Sequence, residues 1–197
     1  MTTITSSNGY VLRPMVDSDV DFIMEVLKDF PVGSNSYEQR MNEISTMLYV
    51  TDGFTPAKVK ANTDTAVCMI TVKDSVKLSF CYLNFDNSVV EIRMAAVHPD
   101  LRGNKHFTAQ MMLSGYLAYT HCECTNSIQE ILSSGTIHEF ANLWRPTFSG
   151  DETERDTDNR LADGDSYTLK KIPVTAAEHE TYRAAHSTWG SITYTVS

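Results

Sequence analysis

The chain has 197 residues, 42% of them apolar and 21% charged, with a net charge of −9 and a pI near 5.0. That length suits a single domain with a real core, and the negative charge argues against a general nucleic-acid binder, which must neutralise many phosphates. No run approaches the roughly 18 consecutive apolar residues of a membrane span. The opening MTTITSSNGY lacks the basic start and apolar centre of a signal peptide. Cys68, Cys81, Cys122 and Cys124 show no disulfide-framework spacing, and His121 beside the last two lacks a second close pair to complete a metal site. The expectation is a cytoplasmic domain spanning 1–197, with reduced thiols, no metal, no nucleic-acid partner and no membrane.

In chain order, GYVLRP reads as a first strand closed by Pro14. Val20, Ile23, Val26, Leu27 and Phe30 then recur at helical spacing, with Asp17 or Ser18 as the cap and Pro31 and Gly33 as the stop. Ser36 opens a second helix, with Gln39 as its capping-box partner and Met41, Ile44, Met47 and Leu48 on its buried face. The period then changes. TAVCMITV, VKLSFCYL and VVEIRMAAV are rich in β-branched and aromatic residues and are joined by DS and FDNS, which predicts an antiparallel three-strand meander. A helix from about Phe107 to His121 follows, apolar over most of its circumference and so expected to be sandwiched against the sheet.

SIQEILSS reads as a strand and TIHEFANLW as a short helix stopped by Pro146. The polar, acidic stretch near 149–165 reads as a long exposed loop. SYTLKKIPV resumes as a strand, Thr175 and Glu178 form a capping box for a helix through about Ala185, and SITYTVS closes the chain as an edge strand. The whole is an α/β domain with a mixed, mostly antiparallel central sheet flanked by helices.

The stretch most suited to a ligand is AAVHPDLRGNKHFTAQMM, which passes from a strand through Arg-Gly-Asn-Lys-His into the apolar helix. A turn of that kind gathers the unpaired N–H groups of a helix N-terminus, a ready anion site. Turns that cradle phosphates commonly carry several glycines, and this one has Gly103 alone. The motifs of serine hydrolases, zinc proteases, P-loop enzymes and dinucleotide-binding folds are absent.

YVLRPMVDSDVDFIMEVL, VVEIRMAAVHPDLRGNKHFTAQMM and, faintly, HEFANLW together resemble the GCN5-related N-acetyltransferase superfamily. The resemblance covers residues 9–30 and 66–121 and implies acetyl-CoA as co-substrate. In that family the fourth and fifth strands splay apart, fourth-strand backbone holds the acetyl and pantetheine portion, and the pyrophosphate lies on a loop of pattern R/Q-x-x-G-x-G/A. Carried over, the strand contacts fall at Ala95, Ala96 and Val97. The loop comprises Arg102, Gly103, Asn104, Lys105, His106, Phe107 and Thr108, with Lys105 in place of the first glycine and Phe107 in place of the second. A glycine there permits close approach of the backbone and φ > 0, whereas Lys105 must accommodate a Cβ, although its ammonium can pair with a phosphate. Asn142 matches the later-helix asparagine near the cofactor.

Acetyl transfer requires a base for the amine, a polarised thioester carbonyl and an acid for the leaving thiolate. The resemblance points to Glu91 as base. The usual tyrosine after the asparagine is missing from LWRPTF, leaving Tyr167 as a substitute acid and His98 as a further titrating group. The primary expectation is an N-acetyltransferase for a small-molecule or protein amine, with the acidic surface steering a cationic substrate. The alternative is an inactive acetyltransferase-like fold used as a structural or binding subunit. The Thr-, Ser- and Asp-rich style is reminiscent of phage-encoded proteins, so that alternative includes a virion protein and a homo-oligomer or larger assembly.

Overall fold

The computed structural model describes residues 2–28, 37–132, 151–155, 167–173 and 175–197. The described residues include β1 (Ile4–Ser6), β2 (Tyr10–Pro14), β3 (Thr65–Lys73), β4 (Val76–Asp86), β5 (Val89–Val97), β6 (Asn126–Leu132), β7 (Asp151–Arg155), β8 (Tyr167–Pro173) and β9 (Tyr194–Val196). These form one sheet in the order β7-β8-β6-β5-β4-β3-β2-β1-β9. The helices are α1 (Val20–Leu27), α2 (Tyr37–Asp52), α3 (Pro56–Lys60), α4 (His106–Gly115) and α5 (Ala176–Ala185).

The meander forms as its turns dictate. Asp74 and Ser75 have φ of 49° and 64°, and Asn87 and Ser88 have 47° and 64°. Two consecutive left-handed residues match the twist of the strands they join, and short polar side chains tolerate that conformation best. Among the described strands, β5 and β6 alone pair in parallel, with α4 as their crossover.

Both faces of the sheet are covered, so the alternation along β3 is apolar on both sides. Val67 and Met69 face a core with Leu83, Phe85, Met112, Leu113 and Leu117. Cys68 and Ile70 face another with Phe80, Ile23, Ile44 and Met47. α4 is buried over most of its circumference, with the sheet on one side and α5 approaching at its last residue. Gly115 is the close contact: a Cβ there would stand 2.2 Å from Nε2 of the buried His179.

Several elements differ from the sequence expectation. β1 precedes the strand read as the first; Ile4 is fully buried and β1 is only three residues long, too short for a periodic signal. Neither Asp17 nor Ser18 caps the first helix. Asp19 reaches back instead, accepting Val16 N–H at 2.9 Å while both its oxygens bind Arg13 at 2.6 and 2.8 Å. Lys77 Nζ adds a contact at 2.7 Å, tying β2, the start of α1 and β4 to one buried carboxylate. α3 was not foreseen; Thr55 caps it and Pro56 starts it.

The helix after the loop changes to π geometry over Tyr116–His121, where Cys122 N–H reaches Leu117 O at 2.8 Å. Inside the segment read as an exposed acidic loop, Asp151–Arg155 is a strand paired with β8. Charged residues suit an edge strand, so their polarity concealed it. The remainder of that segment, TIHEFANLW with Asn142, and Phe30 to Ser36 lie outside the described residues.

Candidate active site

β5 and β6 pair from Val89–Asn126 to Ile92–Gln129, and there the pairing stops although both strands continue. At the same point β5 carries a bulge: Leu83 opposes Ile92 and Tyr82 opposes Met94, leaving Arg93 as the extra residue. A bulge sharpens the local twist and re-aims the strand, so β5 turns away from β6 at Arg93 and a gap opens between them.

The backbone lining this gap follows from the phase of the ladder. His98 N–H donates to Leu78 O at 2.9 Å, so His98 forms a hydrogen-bonded pair with β4. Antiparallel pairs alternate, so Ala96 also spends its N–H and C=O on β4, whereas those of Ala95 and Val97 point the other way, into the gap. Backbone donors and acceptors with no strand to pair with are what a bound acyl-amide chain would satisfy.

Beyond Val97 the chain makes a tight turn. His98 Nδ1 accepts Asp100 N–H at 3.3 Å, and the His98 ring stacks on Phe22 at 5.9 Å, so His98 is held as a turn residue. Pro99–Leu101 is a 3₁₀ turn, and Asn104 Nδ2 donates to Leu101 O at 3.4 Å. Gly103 has φ +83°, and Lys105, immediately before α4, has φ +61°. The position where a glycine was expected thus keeps a left-handed backbone with a lysine in it, at a cost of roughly 1–2 kcal/mol. Arg102, Gly103, Asn104 and Lys105 are exposed, Phe107 is partly buried, and Thr108 is buried in the first turn. The first N–H groups of a helix lack partners within it, and here they run to Thr108, since Ala109 N–H is the first to donate back, to Lys105 O at 3.2 Å.

His106 itself turns inward. Its Nδ1 lies 3.3 Å from the Tyr10 hydroxyl, and burial, with Lys73 nearby, holds its pKa below the ordinary histidine value. Its contribution to an anion site is therefore its backbone N–H.

Glu91 stands in the paired part of β5, opposite Ile128 and Asn84, four residues before Ala95 and so about 13 Å along the strand from it. Asn84 Nδ2 donates to its Oε2 at 3.3 Å, and Arg93 Nε lies 3.6 Å from the same oxygen. Tyr82 is on this face, opposite Met94. Burial pushes its hydroxyl pKa up, Arg93 draws it down, and Cys68, Glu43 of α2 and Glu91 push it up. Tyr167 opens β8 with its backbone opposite Leu132, the last residue of β6. Since β5 and β6 run parallel, that end of β6 is the far wall of the gap. The structure thus gathers Val97, the loop and Tyr167 at one end of the sheet, leaves Glu91 in the paired stretch, and commits the Ala96 backbone to β4.

Sequence reasoning passed over Arg93. The available signal was a broken alternation: Val90 and Ile92 face one core, and the next residue to face it is Ala95, three positions on instead of two. The four cysteines are buried and free, and burial pushes the Cys81, Cys122 and Cys124 thiols up to about 12, which removes them as nucleophiles near neutral pH. Among the described residues no helix is long and apolar enough to cross a membrane.

The overall fold is found again in solved structures. The E. coli ribosomal-protein-S18-alanine N-acetyltransferase superposes with TM-score 0.56 at 11% identity, covering 84% of this chain and 94% of its own. The spermidine/spermine N-acetyltransferase SpeG from Vibrio cholerae gives 0.60 at 11%, covering 91% and 98%. The chain has the fold of the GCN5-related N-acetyltransferases.

PaiA N-acetyltransferase from Thermoplasma acidophilum, solved in complex with coenzyme A, superposes on this acetyltransferase fold with TM-score 0.52 at 14% identity, covering 82% and 98%. No family model and no curated protein matches the chain by sequence. Counted from β2, the strand that the sequence marks first, β5 is the fourth strand and β6 the fifth, with β1 lying beyond β2 and the edge strand β9 beyond that.

Proposed function

We propose that the chain is an acetyl-CoA-dependent N-acetyltransferase acting on an amine. The observation that carries this reading is the gap between β5 and β6, with backbone of Ala95 and Val97 that no described strand pairs on one wall and the N-terminus of α4 at its mouth. The N–H groups that open α4, with Lys105 and Arg102 beside them, would hold the diphosphate of the co-substrate. Ala95 and Val97 would bind the pantetheine amides as an added strand binds a sheet edge.

Bound acetyl-CoA supplies an activated acetyl thioester. The chain's part is to hold the acyl oxygen against a β5 N–H, which polarises the carbonyl. Tyr167, at the far wall, is assigned the proton that the departing thiolate needs. Glu91 is too far along the strand to touch an amine at Ala95, and reaches it only through bound water.

Thermal denaturation with millimolar acetyl-CoA tests the binding. At 100 times its dissociation constant a ligand adds about 2.7 kcal/mol, which for a chain of this size is roughly 5–10 °C in Tm. Release of free thiol on addition of amines tests the transfer. An unchanged Tm with both acetyl-CoA and CoA would sink the reading.

A further inference from the structure

We infer that the acceptor carries an oxyanion beside its amine, and that Arg93 receives it. This rests on the acetyl-transfer reading above and names the substrate class for the same site.

α4 and its loop lie on one face of the sheet, packed on the core that contains Ala95 and Leu113. The co-substrate reading places the diphosphate at that helix, so an acceptor meets the gap from the opposite face. On that face β4 and β5 present Tyr82, Asn84, Glu91 and Arg93, with Glu43 of α2 close enough to act on the Tyr82 hydroxyl.

Arg93 is singular in this group. It is the bulge residue, at the point where β5 leaves β6 and two residues, about 7 Å of strand, before Ala95. Its side chain is 35% exposed, and Glu91 is its ion-pair partner among the described residues, through Nε at 3.6 Å. Among the described residues that contact leaves the two terminal nitrogens of the guanidinium to meet a ligand. A guanidinium fork takes a carboxylate or a phosphate with two parallel hydrogen bonds.

Glu91 is in turn held by Asn84 at 3.3 Å, so the acid–amide pair fixes the arginine stem from the side away from the gap. A polyamine, carrying cations alone, offers the guanidinium fork nothing to bind. An amine bearing an oxyanion meets a partner there. Arg93 is therefore a specificity-determining residue, outside the bond-making step.

Matched acceptor pairs that differ only in the anion test this. L-lysine against 1,5-diaminopentane asks for the carboxylate, and phosphoethanolamine against ethanolamine asks for the phosphate. The expected result is a kcat/KM at least tenfold higher for the anionic member of one pair, the pair identifying which oxyanion is used. Arg93→Gln should raise KM for that member about tenfold or more, leave its kcat within a few-fold, and bring the ratio within the pair close to one.

Stabilisation by acetyl-CoA is measured in both proteins. If Arg93→Gln loses it, Arg93→Lys, which keeps the charge but not the fork, takes its place and should give an intermediate ratio. Equal or better use of the anion-free members, an unchanged ratio in the variant, or no transfer to any anionic amine by protein that does bind acetyl-CoA overturns the inference. Failure to bind acetyl-CoA overturns the reading beneath it instead.

Discussion

Lys105 holds a left-handed backbone that glycine would occupy without strain, so its side chain must contribute something or be a burden. With the ammonium as a phosphate partner, Lys105→Glu should abolish stabilisation by acetyl-CoA, and Lys105→Gly should weaken it while leaving the free protein within about 1 kcal/mol of its original stability. Calorimetric titration of the three proteins checks both; a Lys105→Glu protein that still binds removes the charge from the account. Asp19 is the other residue with outsized leverage. It is fully buried, and although burial alone would raise its pKa, hydrogen bonds from Arg13, Lys77 and the Val16 amide lower it to about 2. A carboxylate depressed in the folded state contributes stability that is full above its unfolded value near 4 and is lost as pH falls through about 2. Asp19→Ala should cost about 3 kcal/mol at neutral pH, since it strands two cations, and should flatten the acid limb of the Tm profile between pH 4 and 2. A variant with the same acid limb as the parent would contradict this.

Between elements, the contact of α4 with α5 is decided by a missing side chain. His179 fills the notch over Gly115 and lies 5.4 Å from the Tyr119 ring. Gly115→Ala should destabilise by about 1–3 kcal/mol, and His179→Ala in the same chain should recover part of that loss. Additive losses in the double variant, measured by urea denaturation, would mean that the two do not meet. Burial holds the His179 pKa down to about 4. The neutral ring is therefore favoured on folding, and its contribution is full above about 6.5 and lost as pH falls from there towards 4. Hydrogen exchange in α5 should accelerate over that range before it does in β3.

These elements also show what a sequence yields. The meander was legible because alternation and two-residue polar turns each specify a strand boundary, and α5 because Thr175 and Glu178 do make the capping box. β7 was not, since an edge strand of charged residues has the composition of a loop. Nor was the parting at Arg93, because a bulge changes the face of one residue without changing its chemistry. Of the site, the loop was readable from Arg102 to Thr108, but the direction of the Ala95, Ala96 and Val97 backbones depends on which residue of β4 each opposes, a fact of pairing.

At the scale of the whole molecule, the last strand returns to the first. β9 pairs with β1, with Thr3 N–H reaching Ser197 O at 2.8 Å and Ser197 N–H reaching Thr3 O at 3.0 Å. Arg183 secures the return, donating to the carbonyls of Trp189, Gly190 and Ile192, and Trp189 packs on Tyr10 at 5.8 Å. Because Tyr10 also meets His106 at the start of α4, this strap supports the loop from behind. Arg183→Ala, which takes one donor away from three carbonyls, should lower Tm by several degrees, at about 2–4 °C per kcal/mol, and weaken acetyl-CoA binding by less than it weakens the fold. A loss of binding with Tm unchanged would reverse that ordering.

The parallel pairing of β5 with β6 has a consequence for the order of assembly. Every other described pairing in β2 to β5 joins neighbours through a short turn or after three helices, and can form as soon as residue 97 is present. β6 can dock only when some thirty further residues have crossed the sheet as α4 and its π-helical end. Pulse-labelled refolding should thus find the amides of β3 and β4 shielded early and those of β6 late, so that the cleft is finished around a wall already standing.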